Sequence, residues 1–251
     1  MPLTRGIHLS RIETGILHVK TLFAAAAAAA ALAVAGTANA AELLTNGTFD
    51  QGNTGFQSQY IYTATHDLWP EGRYDVITNP QADHALFSAF ADHTPGADTG
   101  LMMVINGSGT ADKIIWSEGT QQTPLIGAAN TAYTFSFWLA SVYPSSPANL
   151  NLWINGAKLD GVNFAAQGGQ TGVWRNFTYS GVSGAAGINS ISLTNNNLEP
   201  SGNDFALDDM SLSGVAAGVP EPATWSLMIM GFGGMGAVLR SNRRRTAAAA
   251  A

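Results

Sequence analysis

The chain has no cysteine among its 251 residues, few charged residues (11%), and hardly any positive charge over most of its length. Each absence narrows what it can be. Without cysteine there is no disulfide framework, no thiol nucleophile and no cysteine-based zinc site, so the fold rests on its apolar core. Residues 41–218 hold 15 of the 17 acids but only 4 of the 11 bases, a net charge of about −11. That surface repels phosphate backbones and anionic headgroups, which argues against nucleic acid and leaves neutral sugars and divalent cations as compatible partners. The same segment lacks long helical periodicity, a P-loop, a dinucleotide loop, a Gly-x-Ser-x-Gly elbow and a His-Glu-x-x-His motif. Trp116-Ser117-Glu118-Gly119 carries only half of the elbow. His66, His84 and His93 are spaced as ordinary hydrogen-bonded histidines. The expectation is a protein without catalytic activity. The alternative is an unrecognised glycan-active hydrolase, in which a carboxylate pair such as Asp67 with Asp208 is brought together by the fold.

The two ends are informative. Arg5, Arg11 and Lys20 precede an apolar run from Leu22 to Val34, and Ala38-Asn39-Ala40 supplies small residues for a signal peptidase, so 1–40 reads as a signal peptide. At the other end, Val219-Pro220-Glu221-Pro222 leads to Trp225 and an uncharged stretch from Ala223 to Leu239, then to Arg240, Arg243, Arg244 and Arg245. Seventeen residues as a helix measure about 25 Å, a short membrane span. Trp225 is placed as an interfacial anchor, and the arginines are retained on the cytoplasmic side, which puts the preceding domain outside. Gly231, Gly233, Gly234 and Gly236 offer a small-residue face for close helix contact. The chain then divides into a signal peptide (1–40), a central domain (41–214), a linker (215–218), a C-terminal signal (219–245) and a tail (246–251).

A Pro-Glu-Pro box, a Trp-led apolar stretch and a basic stop, in that order, resemble the PEP-CTERM sorting signal of exopolysaccharide-secreting bacteria. The resemblance implies an exosortase-type membrane enzyme as processing partner and a transient one-helix stay in the inner membrane of a Gram-negative-type bacterium. Delivery to the cell surface, extracellular matrix or biofilm follows.

Between the ends, short β-rich runs alternate with Gly, Asn, Pro and Ser clusters. Strands are expected at Gly100–Ile105, Ile114–Trp116, Tyr133–Val142, Asn149–Ile154, Trp174–Ser180, Ser190–Thr194 and Phe205–Leu212. Tyr133, Phe135 and Phe137 alternate with Thr134, Ser136 and Trp138, and Leu150, Leu152 and Ile154 with Asn151 and Trp153, so each strand has one core face. Asn155-Gly156 is a hairpin signal. The fold class is all-β, a two-sheet jelly-roll sandwich, flanked by the signal helix and a single membrane-spanning helix.

The opening Asn46-Gly47-Thr48-Phe49-Asp50, the central Tyr133–Leu139, the Trp174–Thr178 strand and the closing Asn203–Leu212 look like carbohydrate-binding-module jelly rolls of galactose-binding-like fold. In that family such a start and a closing Asp-Asp-hydrophobic often meet at a structural calcium. The resemblance implies Asp50 and Asp208 as ligands, with Asp209 beside them and Asp98 as a further loop candidate. Calcium takes six to eight oxygens, so two carboxylates and loop carbonyls would tie the chain ends together. Asp208 alternates with Phe205 and Leu207 and should leave the core face. Sugar recognition needs flat aromatics with amides or acids beside them. The candidates are Tyr60, Tyr62 and Trp69, in a poorly periodic region, and Asn151 with Trp153 on one outward face. Trp116 and Trp174 are expected to be structural.

Overall fold

The computed structural model describes residues 40–94, 100–119, 125–215, 228–234 and 240. The chain divides into two units, Asn39–Gly218 and the two ends together, Met1–Ala38 with Val219–Ala251. Most of the second unit, including the expected signal peptide and the Val219–Trp225 and Arg243–Arg245 elements, lies outside the described residues. Residues 228–234 are helical, and among the described residues no helix is long and apolar enough to cross a membrane.

Among its described residues, unit Asn39–Gly218 is all-β apart from one 3-10 turn. Its strands are β1 (Ala41–Glu42), β2 (Ile61–Tyr62), β3 (Arg73–Ile77), β4 (Met102–Asn106), β5 (Ile114–Glu118), β6 (Ala132–Ser141), β7 (Asn149–Ile154), β8 (Ala157–Ala165), β9 (Arg175–Val182), β10 (Ile191–Asn195) and β11 (Phe205–Gly214). The larger sheet runs β2-β3-β4-β11-β6-β9, with β1 also on β11; the smaller runs β5-β10-β7-β8. Only the short β2–β3 pair is parallel among the named strand pairs.

Alternation in the sequence explains the interior. Phe135, Phe137 and Leu139 of β6, Leu150 and Leu152 of β7, Leu193 of β10 and Phe205, Leu207 and Leu212 of β11 meet between the sheets, all sealed from solvent. Phe137 meets Phe164 edge-on at 5.1 Å, and Trp116 lies over Phe135 at 6.2 Å, offset and edge-on arrangements that aromatic quadrupoles favour. Asn155 and Gly156 both adopt positive φ (52° and 76°) and close the β7–β8 hairpin, the conformation for which Asn-Gly is suited.

Strands β3 and β8 are additions to the sequence expectation. β3 carries Asp75 at its centre, and β8 is a largely exposed edge strand with Gly161 and charged residues, so neither shows an apolar run. A second apolar layer is also present. Met102, Val104 and Ala206 point out of the sandwich, and Leu68, Ile77, Phe87 and Val142 join them in a separate buried cluster. The loops on either side of β3, residues 63–72 and 78–94, thus lie across the outer face of the larger sheet, while β3 itself is one of its strands. Asp208 does leave the sandwich interior, as its alternation requires, yet it is completely buried because these loops cover it.

Candidate ligand-binding face

The covering segment presents Trp69 to solvent. Its side of the protein is a short stack: Trp69 and His84 rings lie 4.0 Å apart, and His84 and Phe87 lie 4.1 Å apart, nearly parallel. Phe87 and His84 are buried, whereas Trp69 is 56% exposed. Burial holds the His84 imidazole below its ordinary pKa, so a neutral ring supports the indole. The backbone beneath is fixed by Asn106, whose Nδ2 donates to the carbonyls of Leu68 (2.6 Å) and Trp69 (3.2 Å). Trp69 N–H in turn donates to Asp67, whose carboxylate pairs with Arg73 at 3.2 Å.

Beside the stack is a cavity of about 190 Å³, lined among others by Glu71, Asn106, Tyr143, Ser201 and Asp204. Asp204 accepts the Gly107 N–H at 2.8 Å, and burial pushes its carboxyl up to about 6. The volume is below the roughly 300–1,000 Å³ of sites that enclose drug-sized ligands. An exposed flat ring, an acid, an amide and hydroxyls around a shallow hollow suit one sugar ring better than a buried cofactor.

The other sequence candidates separate. Tyr60 is buried in the main core, with Lys113 Nζ 4.6 Å above its ring; burial raises its phenol. It therefore offers no open ring face to a ligand. Tyr62 is 40% exposed and tilts against Tyr74 at 5.5 Å. Asn151 and Trp153 do share the outward face of the smaller sheet, but Asn151 is buried and Trp153 is half-buried, its Nε1 donating to Thr194 Oγ1 at 2.9 Å. The pair lies on the other sheet from the Trp69 stack. Trp116 is fully buried, and Trp174 donates its Nε1 to Ala91 O at 3.1 Å, both serving packing.

The first and last segments of the sandwich meet. Met210 N–H donates to Gly47 O at 2.8 Å, and Gly47 lies so close to the Met210 carbonyl that a Cβ would collide with it. A bulge in β11 between Asp208 and Ser211, with Asp209 at φ 44°, turns both acids toward His93. The two Asp208 oxygens accept the N–H groups of His93 (2.7 Å) and Asp209 (2.8 Å). Asp209 receives His93 Nδ1 at 2.7 Å and Thr94 Oγ1 at 3.2 Å, while the His93 ring stacks on Trp138 at 3.5 Å. Asp50 accepts the Leu101 N–H at 3.3 Å. Burial raises the Asp208 carboxyl to about 7, against those two N–H donors. Beside this network Asp92 is buried with its two oxygens outside good hydrogen-bond geometry, Thr94 being the nearest donor, and burial raises this carboxyl too. Asp98 lies outside the described residues. For calcium the observation that fits is Asp92, a buried carboxyl raised further by the charges of Asp50 and Asp209, which a cation would offset; Asp208 and Asp209 each already accept two hydrogen bonds.

Sequence reasoning missed His84, Phe87, Asp204, Asp92 and His93 as contributors. One signal was available: Ala-Asp-His occurs twice, at 82–84 and 91–93, and both copies place a buried acid beside a stacked histidine. The acids Asp67 and Asp208 have separate partners, Arg73 and His93.

Comparison with known proteins adds two findings. Residues 218–245 match the PEP-CTERM protein-sorting motif, so the molecule is a β-sandwich followed by a sorting signal, and the motif implies an exported protein. Solved structures with a similar arrangement include the CBM22-1 xylan-binding domain of Paenibacillus barcinonensis Xyn10C, at 16% identity over 73% of this chain and 100% of that one (TM-score 0.44). A Stig cyclase from Fischerella sp. TAU is 12% identical over 71% of this chain and 100% of that one (TM-score 0.47). The sugar-binding EclA C-terminal domain is 16% identical over 39% of this chain, which spans 66% of that domain (TM-score 0.32). No curated protein matches the chain in sequence.

Proposed function

We propose that this is an exported, non-catalytic cell-surface or matrix protein whose sandwich binds a neutral glycan, such as exopolysaccharide, on the Trp69 face. The observation that carries the ligand is the exposed Trp69 ring, held flat by His84 and Phe87 beside a hollow lined by Glu71, Asn106 and Asp204. An indole takes the apolar face of a pyranose, while the acids and amide fix its hydroxyls. The sorting motif supports the location: a signal peptidase removes the leader, and an exosortase-type enzyme processes the tail around Pro220-Glu221-Pro222. A structural calcium at Asp50, Asp208 and Asp209, with Asp92 beside them, would brace the loop that carries Asp92 and His93.

The test is a glycan array with the full-length chain in mild detergent, repeated for Trp69→Ala and Trp153→Ala. Loss of one central aromatic contact should weaken a recognised glycan by roughly 2 kcal/mol, or about thirtyfold. Trp153→Ala should leave binding intact. Equal binding by wild type and Trp69→Ala would remove the assignment. Deleting residues from Val219 onward should give a secreted domain that is no longer retained at the surface; unchanged retention would reject the sorting role.

A further inference from the structure

A third cluster, distinct in its residues from the hollow and the β11 bulge, combines a histidine with two aspartates. Asp75 comes from the centre of β3, Asp83 from the C-cap of the 3-10 turn Pro80–Ala82, and His66 from the loop after β2. His66 Nδ1 and the two carboxylates lie within 4.8 Å of one another, atom to atom. Nδ1 is 2.8 Å from Asp75 Oδ2 and 3.4 Å from Asp83 Oδ2. The His66 backbone is in the left-handed region (φ 55°), an uncommon conformation for histidine that accompanies this inward placement.

The second, independent observation is at Asp83. Its side chain is 3% exposed, yet Oδ2 has no hydrogen-bond partner; it faces His66 Nδ1 outside hydrogen-bonding geometry. Asp75 differs, because its Oδ1 accepts the Val76 N–H at 2.7 Å and only Oδ2 turns inward. An oxygen sealed from water without a donor is costly unless a proton shared with Asp75 or a cation meets it. His66 fills this role incompletely, since one ring nitrogen cannot point at two carboxylates at once.

We propose that His66, Asp75 and Asp83 bind a divalent cation of the zinc type. Zn²⁺ bonds of about 2.0–2.1 Å to nitrogen and carboxylate oxygen, in a tetrahedron, separate neighbouring ligand atoms by about 3.3 Å. The 2.8 and 3.4 Å separations bracket that value, so small side-chain rotations complete the triad. One imidazole and two carboxylates are three protein ligands, and the His66 side chain is 63% exposed, so the fourth position opens to water. Calcium is disfavoured here because the cluster falls well short of six to eight oxygens. Zinc displaces the Nδ1 proton that otherwise sits between imidazole and carboxylate, and this proton is released to solvent. The bound ion clips the loop after β2 to β3 and to the turn that leads into His84. It therefore braces the support beneath Trp69 without touching the glycan.

The experiment is calorimetric titration of the chelator-stripped full-length chain with ZnCl₂, and separately with CaCl₂, together with the visible spectrum after adding Co²⁺. One zinc per chain is expected, with the intense absorption of tetrahedral cobalt. His66→Gln changes an exposed side chain and Asp83→Asn is isosteric, so both should keep the native circular dichroism. Each should weaken zinc at least about tenfold, while Asp208→Asn should leave it unchanged. Absence of stoichiometric zinc binding, or full binding in both natively folded variants, overturns the proposal. The glycan array with Trp69→Ala gives its answer whichever way this titration falls.

Discussion

The two faces of the larger sheet differ in kind. Its inner face, against the smaller sheet, is built from Phe135, Phe137, Leu139, Phe205, Leu207 and Leu212, all buried and apolar. Its outer face buries almost as thoroughly under residues 63–72 and 78–94, but what it buries includes Asp75, Asp83, Asp92, Asp208 and the ring of His84. The inner layer is satisfied by dispersion and exclusion of water alone. The outer layer contains poorly satisfied oxygens on Asp83 and Asp92 and a string of acids raised by burial. Stability alone would have been served by apolar residues at those positions, since buried ionic groups seldom repay their desolvation. On the proposed reading the covered face carries the ligand and the inner one is scaffold.

Five expected outcomes sharpen or break this contrast. The largest belongs to the scaffold: Phe135→Ala should cost about 3–5 kcal/mol in urea unfolding, and a cost comparable with that of a surface change would show that the inner face is not the main source of stability. Next is Glu118, a buried acid on β5 that accepts the Thr45 N–H at 3.2 Å and is raised by burial from 4.5 to about 7. The folded state binds its proton more tightly than the unfolded chain does. Its favourable contribution is therefore fully present below about 4.5 and is lost as pH rises through 7. Glu118→Gln should gain on the order of 2 kcal/mol over wild type at pH 8 relative to pH 4. A pH-independent difference between the two proteins would show that the carboxyl is not strained by burial.

On the covered face, Asp92→Asn should abolish any rise in melting temperature produced by calcium, by a few degrees for about 1 kcal/mol. Retention of the calcium response would place the ion elsewhere or nowhere near Asp92. Asp208→Ala is the weaker probe of the metal, because its carboxylate already accepts two N–H groups and its loss should destabilise with or without calcium. The smallest effect is expected for Trp69→Ala on stability, within about 0.5 kcal/mol in thermal unfolding, as for an exposed substitution outside the core. A loss of several kcal/mol would turn this ring from a platform into a packing residue.

Legibility in the sequence followed the same division. The inner strands were readable because a face buried against a second sheet imposes strict alternation, as in Tyr133–Leu139 and Leu150–Ile154. β3 and β8 were not, since Asp75 interrupts one and the other is an exposed edge. Trp69 was among the candidates, whereas Tyr60 on the same stretch is core and Asn151 is buried under its own sheet face. Nothing in local spacing separates these outcomes, because they depend on which distant residue stands behind each ring. His84 and Phe87 stand behind Trp69; Lys113 covers Tyr60; Thr194 holds Trp153.

By itself the sequence determined the all-β character, the acidic outer surface and the sorting tail now matched over residues 218–245. These are properties of order and composition, and they survive any arrangement of the loops. Only the tertiary structure decided that the loops flanking β3, residues 63–72 and 78–94, cross the outer face of the larger sheet, and so brought His66 to Asp75 and Asp83, and His93 to Asp208 and Asp209. Partners as far apart as 116 positions carry no periodic signal of their own. They are joined because these loops must bury Leu68 and Phe87 against Met102 and Val104, and the charged groups travel with them.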